Sequence, residues 1–169
     1  MPRGECQIHC LNRMARPQGA AGVLWQRRNR LRRIFRRRWK YVMHRLGEAI
    51  GARRTVSRDA VKGLTSEGLR PGQVVRVRSK EEIRATLNRW DQLKGCSFTD
   101  EMWAFCGTRQ RVLKRVERFL DERDYLVKKC NGLVILDRVM CEGAKDYGAC
   151  DRSCFFFWRE EWLEADEAP

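Results

Sequence analysis

The last 109 residues of this chain contain no histidine. Both histidines, His9 and His44, lie in the first third of the 169-residue sequence. Without an imidazole, residues 61–169 cannot form a Ser-His-Asp triad, a Cys-His nucleophile pair or a histidine-ligated catalytic zinc site. A general base in this region would have to be a carboxylate, an amine, a tyrosine or a thiolate. The absence therefore favours a binding protein over an enzyme.

Long apolar runs are also missing. No stretch reaches the roughly 20 consecutive apolar residues that span a bilayer. The N-terminus lacks the apolar core and small-residue cleavage site of a secretory signal. We therefore expect a cytoplasmic protein whose eight cysteines are thiols or metal-bound thiolates rather than a disulfide framework. Residues 1–22 are interpreted as a disordered or leader segment.

Acidic residues are scarce in the first 60 residues, where 16 lysines and arginines accompany three carboxylates. The remaining residues are nearly balanced, with 20 basic and 19 acidic side chains. The net charge of +14 is therefore a local property of the N-terminal third. Such local basicity indicates a polyanionic partner rather than a feature of the fold.

Residues 23–51 are predicted to form a basic amphipathic helix. Six apolar residues recur at steps of seven and four, which is the spacing of one helix face: Leu24, Leu31, Phe35, Val42, Leu46 and Ile50. Nine basic residues occupy the other faces: Arg27, Arg28, Arg30, Arg32, Arg33, Arg36, Arg37, Arg38 and Lys40. The excess of arginine favours nucleic acid, RNA above DNA. An anionic membrane surface, a groove on a partner protein and a leader segment are the alternatives.

The rest of the chain is predicted to form one compact α+β domain at 71–164, after a linker at 52–70 and before a tail at 165–169. A strand is expected at 73–78, followed by a helix over 80–94 that begins with the capping box of Ser79 and Glu82 and ends at Gly95. A short helical turn is expected at 99–105.

Two later segments carry strand signals. Residues 133–136 are predicted to form a buried strand, paired with 125–127 through a hairpin turn at Asn131-Gly132. Residues 109–120 fit either a helix or an exposed strand, and their periodicity favours the helix.

Cysteines are concentrated near the C-terminus. Cys141, Cys150 and Cys154 surround two glycines, which allow a loop to fold closely around an ion. An all-thiolate set suits zinc or an iron–sulfur cluster. We expect a structural zinc site with Cys130 or Cys106 as the fourth ligand. Buried thiols without a metal, an iron–sulfur cluster, a disulfide and a reactive thiol are the alternatives.

The cysteine segment ends in five aromatic residues within the eight positions 155–162. Packing in a core or interface is the simplest role of so much aromatic surface. The alternative is a ligand platform in which Trp158 and Trp162, four apart on a helix face, stack a base or sugar while Arg159 forms hydrogen bonds with it.

Three segments resemble an uncharacterised family of small bacterial cysteine-containing proteins: PGQVVRVRSKEEIRATL, FTDEMWAFCGTRQRVLKRV and VILDRVMCEGAKDYGACDRSCFFFWREEWLE. The resemblance covers most of 71–164 and is most specific at Cys141, Cys150, Cys154, Phe157, Trp158 and Trp162. It implies no reaction, because no activity is established for that family. The segments PGQVVRVRS and CGTRQRVLKRV are also similar to the entry strands of SH3-like barrels. That similarity implies a small curved sheet with one or two packed helices, and a strand rather than a helix at about 109–118.

The sequence as a whole predicts a zinc-stabilised binding module whose arginine-rich helix engages nucleic acid or another polyanion. A small accessory enzyme or redox protein, using the same cysteines as an iron–sulfur site or a thiolate, is the alternative. A peripheral membrane or partner-binding protein is the third possibility.

Overall fold

The structure, a computed structural model, describes residues 11–16, 19–49, 68–122, 124–143 and 150–166. Within these ranges the chain has an α+β fold, in which one long helix accompanies a five-stranded sheet and two small two-stranded sheets. The first ten residues and most of the predicted linker at 52–70 lie outside the described residues.

The helices are α1 (Leu11–Met14), α2 (Ala20–Ala49), α3 (Lys80–Thr86) and two 3-10 helices at Asp100–Phe105 and Glu160–Trp162. The strands are β1 (Val74–Val77), β2 (Gln92–Leu93), β3 (Cys96–Ser97), β4 (Arg109–Asp121), β5 (Leu126–Leu136), β6 (Met140–Cys141), β7 (Cys154–Phe155), β8 (Trp158–Arg159) and β9 (Leu163–Ala165). The predicted basic helix is confirmed as α2, and the helical turn expected at 99–105 is confirmed as the first 3-10 helix.

The helix expected at 80–94 begins as predicted but is much shorter. The Ser79 Oγ accepts from the backbone of Glu82, and the Glu82 carboxylate accepts from the backbone of Ser79, which completes the capping box. The helix then ends at Thr86 because Asn88 organises a turn, accepting hydrogen bonds from two downstream backbone N–H groups on its side-chain oxygen. Gly95, expected to end the helix, lies instead in the turn between β2 and β3 at φ +83°.

The segment at 109–120 is a strand, as the barrel similarity implied and against its helical periodicity. The hairpin turn expected at Asn131-Gly132 is wrong, because β5 passes through both residues without turning. The register between β4 and β5 shifts there, so Val116 pairs with Leu133 whereas Arg118 pairs with Lys129. The asparagine and glycine thus form a β-bulge rather than a turn.

The main sheet is open, with the antiparallel order β8-β5-β4-β1-β9. No sheet closes within the described residues, so the expected SH3-like barrel is not found there. The core is built on one face of this sheet around Trp158 and Trp162, which are fully buried. Phe98 meets both rings edge-on, with centroid distances of 5.8 and 5.0 Å.

Candidate functional site

The bulge in β5 accommodates a buried arginine. Gly132 has φ +65°, and a Cβ at this position would lie 3.0 Å from Nη2 of Arg159. The Arg159 Nη1 donates a hydrogen bond of 2.8 Å to the carbonyl of Asn131. Glycine at the bulge is therefore required both by the backbone conformation and by the close approach of the guanidinium.

Arg159 also forms a bidentate ion pair with Glu161. Its Nε and Nη2 donate to the carboxylate at 3.0 and 2.7 Å, and Lys94 Nζ donates to the same carboxylate at 2.7 Å. Burial alone would raise the pKa of Glu161, but the hydrogen bonds from Arg159 and Lys94 outweigh it and lower the pKa below its usual value. Glu161 is therefore ionised at neutral pH and fixes the arginine in one orientation.

A cavity of about 620 Å³ lies beside this pair. Its apolar wall includes Phe119 and the consecutive residues Phe155, Phe156 and Phe157. In the part of the chain that the structure describes, its polar lining includes three cations, Lys94, Lys129 and Arg159, and no carboxylate. A cavity of this size, mostly apolar with a few convergent polar groups, is typical of a small-molecule site.

Two cysteines line the same cavity, and both are poor nucleophiles. The Cys96 Sγ donates to the carbonyl of Phe157 at 3.5 Å, and the Cys130 Sγ donates to the carbonyl of Val116 at 3.2 Å. Burial raises the pKa of Cys96 to about 11 and also raises the pKa of Cys130. Both are thus protonated at neutral pH, which argues against either as a thiolate nucleophile.

The predicted metal ligands are partly brought together. Cys141 and Cys154 are directly paired across the ribbon of β6 and β7, so their side chains share one face. Cys150 is close by, because a Cβ built on Gly143 would lie only 3.4 Å from its carbonyl carbon. The Cys141 sulfur accepts a hydrogen bond of 3.3 Å from the Gly143 backbone N–H.

The fourth ligand is not supplied in this arrangement. The Cys130 Sγ donates its hydrogen bond to the carbonyl of Val116. Cys106 follows the first 3-10 helix, and burial there raises the pKa of its thiol despite the nearby Lys80 and Arg84. Among the described residues, no group of three histidine, cysteine or acidic side chains is arranged to hold a metal ion. The zinc site therefore stays a prediction.

The two tryptophans proposed as a ligand platform are core residues. Trp158 and Trp162 are both 0% exposed, which leaves neither ring a face for a base or sugar. Trp162 Nε1 donates to Thr86 Oγ1 at 3.1 Å. They also lie in a strand and a 3-10 helix rather than on one helix face. Of the proposed platform, Arg159 lines the cavity described above.

Helix α2 is attached to the domain by part of its basic face. Arg36 pairs with Asp100 at 2.9 Å and Lys40 pairs with Asp91 at 2.7 Å. Between these two ion pairs, Trp90 lies under the Arg37 guanidinium at 4.8 Å from the ring centroid. These contacts border a cleft of about 370 Å³ between the helix and the domain.

The apolar stripe of α2 does not pack on the domain. We define it as Leu24, Leu31, Phe35, Trp39, Val42 and Leu46, whose side chains are between 46% and 70% exposed. The rings of Phe35 and Trp39 stack on each other at 6.3 Å in solvent. Exposed apolar stripes of this kind are typical of interaction surfaces.

Five arginines of α2 remain exposed and form no ion pair within the described part of the chain: Arg27, Arg28, Arg30, Arg32 and Arg38. No carboxylate occurs between residues 20 and 47 to neutralise them. We call these five residues the free arginines. No helix in the described ranges is long and apolar enough to cross a bilayer.

The cavity and the Arg159–Glu161 pair were not anticipated from the sequence. Adjacent carboxylates at 160 and 161 are usually a solvated pair, and nothing local shows that both are buried. The only available signal was the density of phenylalanines beside an arginine. Comparisons with models of protein families, with curated proteins and with solved structures found no match.

Proposed function

We propose that this chain is a binding module that holds a polyanion, with RNA as the partner, through the free arginines of α2. The observation that carries the proposal is that five of the nine basic side chains in this segment stay exposed and unpaired in the described structure. Unpaired guanidinium groups bind phosphates without first breaking an internal ion pair. Arg36, Arg37 and Lys40 attach the helix to the domain.

RNA fits this surface for two reasons. The guanidinium fork donates two parallel hydrogen bonds to a phosphate, and the exposed rings of the apolar stripe can stack unpaired bases. Five phosphate contacts to a single strand would release condensed counterions, with a slope of log K against log salt of about −3.5. DNA and other polyanions would bind the same guanidinium groups. A cytoplasmic location is also part of this proposal.

Fluorescence anisotropy with a labelled single-stranded RNA, measured over a range of KCl concentrations, tests the proposal. Replacing the free arginines by glutamine should weaken binding at least a hundredfold and flatten the salt slope. The control replaces five exposed basic residues of the domain: Arg70, Arg111, Lys114, Arg118 and Arg138. It changes the net charge equally and should retain most of the affinity. Equal losses in both variants would show that only net charge matters and would contradict the proposal.

Structural zinc is part of the same proposal. It is supported by the pairing of Cys141 with Cys154 and by the closeness of Cys150, three soft ligands of the kind zinc prefers. Elemental analysis of the purified chain should give one zinc per chain, lost in the Cys141→Ser variant but kept in Cys96→Ser. A brown protein containing iron would favour the cluster or redox alternative. A metal-free chain whose stability is unaffected by a chelator would contradict both.

A second candidate function is docking on an anionic membrane surface. The apolar stripe favours it, because leucine, phenylalanine and tryptophan on one face with arginines beside them are typical of interfacial helices. Co-sedimentation with vesicles containing phosphatidylglycerol tests it. Leu31→Ser with Phe35→Ser should abolish vesicle binding and leave the electrostatic part of RNA binding intact. Loss of RNA binding alone would favour base stacking instead.

A further inference from the structure

We infer that the cavity beside Arg159 is a binding site for a small amphipathic monocarboxylate. The inference is independent of the proposed polyanion binding, because it rests on residues of the domain and not on α2. It depends on three features of the cavity: its apolar wall, its excess of positive charge, and a lining cation, Lys129, that forms no ion pair within the described residues.

The apolar wall fits an aromatic or short alkyl body. Phe155 and Phe157 are 40% and 41% exposed, and Phe156 between them packs against the buried core. The Phe119 and Phe157 rings lie at a centroid distance of 6.0 Å, tilted by 47°. Large rings that stay exposed within a cavity gain from being covered by another apolar group.

The charges select the sign of the ligand. Among the described residues, the lining contains three cations and no carboxylate, so a ligand with a negative head is favoured and one with a positive head is repelled. The donors of Arg159 are already used by Glu161 and the carbonyl of Asn131. Lys94 is likewise bonded to Glu161.

Lys129 is the remaining cation. It is exposed, lines the cavity and forms no ion pair within the described residues. A single carboxylate therefore matches the single available ammonium, while its body lies against the phenylalanines. A polyanion does not fit this cavity, because its further charges would face the apolar wall without partners.

Calorimetric titration of the full chain with 4-phenylbutyrate tests the inference. The matched probes 4-phenylbutan-1-ol and 4-phenylbutylamine have the same body with a neutral and a positive head. The acid should bind most tightly and the amine least tightly. Lys129→Ala should lower the affinity for the acid about tenfold and leave the affinity for the alcohol unchanged. Lys114→Ala, a control at another exposed lysine of the sheet, should change neither.

The position of the ligand is tested through the cysteines. With excess 4-phenylbutyrate, Cys96 and Cys130 should be alkylated several times more slowly, whereas Cys106, which is not part of the cavity lining among the described residues, should react as before. Ser97→Trp, which adds an indole to the cavity lining, should abolish binding of both acid and alcohol while circular dichroism confirms the fold. Equal binding of acid and amine, or equal protection of all three thiols, would overturn the inference.

Discussion

The Arg159–Glu161 pair offers the sharpest test of the structure. Its two side chains are 9% and 4% exposed, and two hydrogen bonds join them. Glu161→Gln keeps the shape of the side chain but removes its charge. The buried guanidinium of Arg159 then loses its counterion, and the new amide NH₂ group lies against an N–H donor. Breaking a buried pair from one side costs about 3 kcal/mol of unfolding free energy.

The matched control lies three residues away. Glu164 pairs with Arg76 at 2.6 Å, but these two side chains are 43% and 54% exposed. Glu164→Gln should therefore cost less than about 1 kcal/mol. Urea unfolding followed by the fluorescence of the buried Trp158 and Trp162 measures both. If the two variants were equally stable, the buried pair described for this fold would be refuted.

The same pair predicts a pH dependence. Because the folded-state pKa of Glu161 is lowered, its contribution to stability is present above the unfolded pKa of about 4.3 and is lost as pH falls through the lower folded value. The stability difference between the wild-type chain and Glu161→Gln should therefore shrink below about pH 4. A difference that stayed constant down to pH 2 would contradict the ionised pair.

Three further predictions concern the tryptophans of the core, the capping box of α3 and a cysteine of the cavity. Trp162→Phe should lower the free energy of unfolding in urea by about 1 kcal/mol more than Trp158→Phe. The reason is that Trp162 Nε1 donates to Thr86, whereas Trp158 Nε1 has no partner among the described residues. Equal losses in the two variants would contradict this. Ser79→Ala should lower the free energy of unfolding by about 1 kcal/mol, because the capping box is lost. A loss smaller than that of the control variant Lys80→Ala would contradict this prediction. The alkylation rate of Cys96 should keep rising with pH up to about 11, and a plateau near pH 8 would show that the thiol is not buried.

The elements that the sequence predicted correctly are those whose signals are local. The capping box specifies where α3 begins, and the seven-and-four spacing specifies that α2 is a helix. The end of α3 depended on the side chain of Asn88, which competes for backbone N–H groups just after Thr86. Periodicity cannot detect such a competitor, because the apolar residues that follow Thr86 keep a helical spacing.

The bulge shows why the cavity was beyond local prediction. Asn-Gly is the strongest short signal for a hairpin turn, and both residues here take part in a strand. The bulge is bonded to Arg159, 28 positions further on, whose guanidinium donates to the Asn131 carbonyl and would lie 3.0 Å from a Cβ at Gly132. A contact this distant leaves no periodic trace in the sequence. Through this contact between distant residues, Arg159 and Phe157 come to line one cavity together with Cys130 and Asn131.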